Sequence, residues 1–91
     1  MSQKNQRVVG SFADVNDETA TVLLKEPGRL SLSISGTWAG TIQLQVLLAG
    51  AWVLHTAWTA ITAQDLDVGR GEYKLKFTAD TSGTAVVELW T

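Results

Sequence analysis

The chain has no cysteine, one proline and one histidine in 91 residues. Without thiols there are no disulfides, no zinc–thiolate sites and no cysteine nucleophile. The single histidine, His55, lies in an apolar stretch, where a packed or interface imidazole is expected rather than a catalyst. Charge is scarce as well. Asp, Glu, Lys and Arg make up 18% of the residues, against about 25% in an ordinary globular domain. The net charge of −2 leaves no basic footprint for nucleic acid. Long hydrophobic runs are missing too. The most apolar stretch, Val46 to Trp58, is too short to cross a membrane as a helix and contains Gly50, His55 and Thr56. Met1 to Arg7 is polar and lacks the apolar centre of a signal peptide. These absences predict a soluble protein made in the cytoplasm, with no membrane and no direct nucleic-acid partner.

Motifs that carry chemistry are equally thin. There is no Gly-x-Ser-x-Gly elbow and no phosphate-cradling glycine loop. Asp14, Asn16 and Glu18 alternate as calcium ligands do, but Thr19 stands where the loop glycine belongs and Lys25 where the closing glutamate belongs. Asp65 and Asp67 would share one face of a strand, and Arg70 sits between two glycines at a turn tip; such exposed charges are ordinarily solvated. No catalytic, metal or cofactor-binding residue is assigned, and no enzymatic activity is expected.

What the sequence does contain is alternation. Leu30, Leu32 and Ile34 alternate with serines, Ile42, Leu44 and Val46 with Thr41 and two glutamines, and Tyr73, Leu75 and Phe77 with lysines and Thr78. This is the period of a half-buried strand. Turn signals recur at Asn16-Asp17, Pro27-Gly28, Gly36, Gly40, Ala49-Gly50, Gly69-Arg70-Gly71 and Ser82-Gly83. Short strands with regular turns predict an all-β, antiparallel sandwich of about seven or eight strands. They are expected near 8–13, 19–25, 29–35, 41–48, 51–57, 58–63, 72–79 and 84–90, with one turn of helix as an alternative at Thr62 to Leu66. Residues 1–18 are expected to form an N-terminal arm, flexible at least over 1–7, and 19–91 the sandwich. Gly28 to Ser35 also aligns without gaps to Gly71 to Thr78, and Thr41 to Leu44 to Thr84 to Val87 at the same offset. Either two alternating hairpins align by chance, or the sandwich is pseudo-symmetric.

From Leu30 to Gln64 there is no charged residue. Val46-Leu47-Leu48, Trp52-Val53-Leu54 and Trp58 to Ile61 also lose the alternation, so these strands have apolar side chains on both faces. Soluble proteins usually guard such strands with charge or proline, and Pro27 lies outside them. Two readings follow: strands covered by the domain's own loops and arm, or a surface buried against other subunits. Four tryptophans add to this. Trp52 and Trp58 suit the core, Trp38 lies in a glycine-rich turn, and Trp90 falls on the face opposite Val87 and Leu89. The interface candidates are Trp38, Val46, Leu47, Leu48, Trp52, Leu54, Trp58, Ile61 and Trp90.

The string Gly36-Thr-Trp38-Ala-Gly-Thr41-Ile-Gln-Leu44-Gln45, a later Trp52, then Gly71-Glu-Tyr73 and Ser82-Gly-Thr84-Ala-Val-Val87-Glu-Leu89 resembles small β-sandwich proteins encoded among the structural genes of tailed bacteriophages. The resemblance covers residues 28–91. It departs at Leu47-Leu48-Ala49-Gly50-Ala51, where the relatives often carry a polar turn. What it implies is a virion structural component, best matched by a head decoration (cement) protein on the capsid exterior. Such proteins commonly sit at three-fold or quasi-three-fold points and clamp coat subunits against the pressure of packed DNA. The implied partners are the major capsid protein, copies of the chain itself, or both, a trimer being one such arrangement. Two other readings stay open: a carbohydrate-binding or host-attachment module using Trp38 and Trp90, and a tail, neck or baseplate subunit.

Overall fold

The computed structural model describes residues 6–91, apart from the side chains at positions 80 and 81. The described residues form six antiparallel strands and no helix: β1 Arg7–Phe12, β2 Val22–Leu24, β3 Gly28–Leu48, β4 Ala51–Trp58, β5 Thr62–Val68 and β6 Gly71–Trp90. β3 and β6 pair with each other from Ser31↔Trp90 to Val46↔Tyr73. A straight strand of 21 residues would be about 70 Å long, yet the longest dimension of the molecule is 42 Å. Both strands therefore bend, and each serves two layers. One layer has the order β1, the C-terminal part of β6, the N-terminal part of β3, then β5. The other has β2, the N-terminal part of β6, the C-terminal part of β3, then β4.

The bend lies where turns were expected. Gly36, Gly40 and Gly83 do not end strands; the chain runs through them, so two of the seven junctions expected between eight strands vanish. Gly40 (φ 149°) and Gly83 (φ 81°) adopt backbone conformations that favour glycine. A Cβ at Gly40 would land on the Ala79 carbonyl oxygen, and one at Gly83 on that of Thr37. The register also shifts twice there, passing over Thr81 and Thr78 on the β6 side, and such bulges sharpen a bend.

The inward positions of the two layers form one core. Leu30, Leu32, Ile34, Val87 and Leu89 from the first layer meet Ile42, Leu44, Leu75 and Phe77 from the second, all buried. Phe12 of β1 stacks on Phe77 of β6 at 5.9 Å between centroids. The all-β sandwich read from the alternation is the observed architecture, in a form where one sheet folds over on its two long strands.

The order of strands doubles the motif noticed in the sequence. β1 and β2 pair with the C-terminal and N-terminal parts of β6; β4 and β5 pair with the corresponding parts of β3. Each triplet lends its short strands to the long strand of the other, as in an intertwined two-fold dimer written into one chain.

Three local expectations are corrected. The strand near 58–63 is displaced to β5, and Thr62 to Leu66 is strand rather than a helical turn. The strand near 19–25 narrows to β2, although Thr19 still bonds Leu75 through its amide and its hydroxyl. Residues 7–12, placed in the arm, are an integral edge strand with Phe12 in the core. Residues 1–5 of that arm lie outside the described residues.

Candidate functional site

β4 is the edge of the second layer and pairs only with β3 among the described residues. Opposed residues of an antiparallel pair point to the same face. On the outer face Leu47 opposes Trp52 and Gln45 opposes Leu54; on the inner side Val46 opposes Val53 and Leu48 opposes Ala51. Leu48, Val53 and Leu54 are exposed, as is Ile61 just beyond β4. The strand thus offers apolar side chains on both faces and an unpaired row of backbone groups along its rim. Among the described residues the only guard is a bulge: the ladder steps from Leu44↔Thr56 to Gln45↔Leu54 and leaves His55 out of register. His55 is exposed, its Nδ1 lies 2.8 Å from Thr56 Oγ1, and its ring meets Tyr73 edge-on at 6.2 Å. Tyr73 is held from beneath by donating its hydroxyl to the Gly69 carbonyl at 2.7 Å, and burial pushes its phenol pKa up.

The interface candidates separate on this frame. Leu47, Leu48, Trp52, Leu54 and Ile61 gather around β4. Val46 does not belong with them, because it is 8% exposed and part of the core. Trp38 and Trp58 pack against the core. The Trp38 ring meets Phe77 edge-to-face at 6.0 Å, and its indole N–H is buried without an acceptor. Both tryptophans are partly buried, with one side of each indole against the core. Trp90 lies in the other layer, on the outer face as its alternation indicated, and shares no surface with β4.

Several residues at this edge escaped the sequence reading. Lys74 looks like a solvated lysine on an alternating strand, yet it is 7% exposed. Its ammonium lies 2.9 Å from Glu18 Oε2 and 4.4 Å from the centre of the Trp52 ring. The cation fixes Trp52 against the sheet. Gln6 clamps the opposite edge: its carboxamide accepts from the Leu23 amide at 2.9 Å and donates to the Leu23 carbonyl. That contact ties β1 to β2 and closes the sandwich on one side. No one-dimensional pattern marks either contact, since both join residues far apart in the chain. The loop before β2 is held by Asp17, which accepts from the amides of Asp14 and Ala13. Those bonds keep its carboxyl below the ordinary aspartate range.

Among the described residues no group of three or more His, Asp or Glu is placed to hold a metal ion, and no helix is long and apolar enough to cross a membrane. No known protein family matches the chain, and no curated protein is similar to it in sequence.

Proposed function

We propose that the chain is a non-enzymatic structural subunit that joins a larger assembly through β4, and that the assembly is the virion of a tailed bacteriophage, with this domain decorating the head. The observation that supports docking is β4 itself: an open edge, apolar on both faces, in a segment without a charged residue from Leu30 to Gln64. A coat subunit that adds an extended segment to this edge would gain main-chain hydrogen bonds and cover Leu48, Val53 and Leu54 at once. These side chains are 39–56% exposed, so covering each one gains half of the roughly 1.5–3 kcal/mol of full burial, before the cost of association. Weak single contacts suffice for cement, because a lattice repeats them. The phage setting rests on the resemblance over residues 28–91.

Leu54→Lys tests the docking surface. Leu54 is 56% exposed, so the variant should keep its circular dichroism spectrum and melting temperature while losing its place on the particle. A folded variant that assembles normally removes β4 from the interface. Antibody–gold labelling of phage particles tests the setting. Dense label over the head is expected; label confined to the tail transfers the proposal to a tail, neck or baseplate subunit, and unlabelled particles reject the virion.

A further inference from the structure

The outer face of the first layer carries a second site, independent of β4. Strand pairing places Arg7, Trp90, Ser31 and Asp65 opposite one another in a single row across β1, β6, β3 and β5. Three strand spacings make this row about 14 Å wide, the length of a short oligosaccharide. Trp90 is partly exposed in its middle, and the residues of β3 nearest it on that face are Ser31, Ser33 and Arg29. Ser31 is only 7% exposed and donates its hydroxyl to Asp65 Oδ1 at 2.6 Å. Shallow depressions open on both flanks of the indole. One is lined by Arg7, Glu88 and Thr91, the other by Ala63, Asp65, Gln64 and the core residue Leu32.

We propose that this row is a binding site for a neutral hexopyranose oligosaccharide, with one sugar ring stacked on Trp90. The axial C–H face of a pyranose is flat and apolar, and an indole fixed at the sheet surface offers a matching plane. The equatorial hydroxyls around the ring donate to carboxylates and accept from guanidinium or amide N–H groups. Asp65 on one side and the Arg7–Glu88 pair on the other supply those groups. The Arg7–Glu88 bond, 2.6 Å long, has side chains 64% and 31% exposed. An ion pair so open to water contributes little, so its donors and acceptors can turn to a ligand at small cost.

Charge selects the class. On this face Arg7 and Arg29 are offset by Glu88, Asp65 and Asp67, so an acidic glycan or a phosphate backbone gains no attraction. The platform is open rather than deep, which suits one segment of a longer polymer. This site does not rest on the docking proposal and shares no residue with it.

The test is titration of the intact protein with chitotriose, cellotriose and maltotriose. The four indole N–H resonances are followed by NMR, with Trp90 identified from Trp90→Phe. At least one trisaccharide should shift the Trp90 signal saturably and leave Trp52 unmoved. Trp90→Ala should abolish binding. Asp65→Ala, which also removes the acceptor of the buried Ser31 hydroxyl and is therefore checked for an unchanged circular dichroism spectrum, should weaken it about tenfold, as loss of a charged hydrogen-bond acceptor does. An unmoved Trp90 signal with all three sugars, or binding undiminished in both alanine variants, overturns the proposal. So does a Trp90→Ala protein that ignores sugars as the parent does but no longer joins particles, which would make the indole a protein anchor.

Discussion

Gly83 and Gly50 are a matched pair for measuring how tightly the two long strands cross. Their φ angles are 81° and 80°, so an alanine at either position meets the same backbone penalty, about 1–2 kcal/mol. Their surroundings differ. A Cβ at Gly50 meets nothing within 4 Å, whereas one at Gly83 lands on the Thr37 carbonyl and 2.8 Å from the Trp38 Cα. Both obstacles are backbone in the paired strand, which can yield only by opening the bend. Gly50→Ala should therefore cost about 1 kcal/mol and Gly83→Ala about 3 kcal/mol, the excess being strain and lost pairing at the crossing. For a domain of this size, expected to be stable by roughly 5–14 kcal/mol, Gly83→Ala should lower the melting temperature by roughly 12–24 °C, against 4–8 °C for Gly50→Ala. Urea unfolding followed by tryptophan fluorescence measures both. Equal losses in the two variants would refute the close crossing and, with it, the bent-strand account of how one sheet makes two layers.

Ala49, with φ 51°, occupies the first position of the two-residue turn between β3 and β4, where Asn is better suited; Ala49→Asn should raise stability by about 0.5–1 kcal/mol in the same unfolding assay. The Glu18–Lys74 pair should show the asymmetry of a half-buried ion pair. Glu18→Ala strands the covered ammonium and should cost about 1–2 kcal/mol, while Lys74→Met keeps the contact with Trp52 and should cost less; the reverse order in denaturation would contradict the burial of Lys74. Asp17 has a folded pKa depressed by the Asp14 and Ala13 amides. Its contribution is therefore complete above the ordinary value of 3.8 and is lost as pH falls through the lower folded value. An NMR titration should place its midpoint below 3.8, and Asp17→Asn should speed hydrogen exchange at Ala13 and Asp14 at neutral pH.

Alternation was enough to read the fold class and most inward positions, because a strand with one wet face writes its period directly into the sequence. Leu30-x-Leu32-x-Ile34 and Tyr73-x-Leu75-x-Phe77 are buried as that period requires. The two long strands were not legible. Gly40 and Gly83 signal a chain that cannot tolerate a Cβ, and a bend against a neighbouring strand demands the same residue as a turn. β5 was misplaced for a related reason: Thr62 to Val68 has two aspartates on its wet face and only Leu66 and Val68 turned inward, so its apolar period is short. At the edge, composition showed that Leu47 to Leu54 lacks charge, but not that Val46 faces inward while Leu54 faces out. That division depends on the bulge at His55, which moves the register by one residue and leaves no mark in composition.

The same duplication explains why the edge is open. In a perfect two-fold arrangement β1 and β4 would be treated alike, and so would β2 and β5. In the first triplet Gln6, immediately before β1, reaches across to the backbone of Leu23 and closes β1 against β2. In the second, β4 follows β3 through the tight turn Ala49-Gly50, and neither residue has a side chain long enough to reach β5. Joining the triplets through a two-residue hairpin thus removes the clamp on one side of the molecule. An edge left in this way must be guarded or covered. β5 is guarded, with Asp65 and Asp67 on its exposed face. β4 is not, apart from the His55 bulge, and its outer face pairs Trp52 with Leu47 where the first layer pairs Arg7 with Trp90. The two halves share a backbone plan and differ in surface chemistry, so the polar face suits a hydroxylated ligand and the uncharged edge suits another protein. If that division holds, Leu54→Lys and Trp90→Ala must act separately, the first abolishing assembly without touching sugar binding and the second the reverse; loss of both activities in either variant would mean that the two surfaces are one.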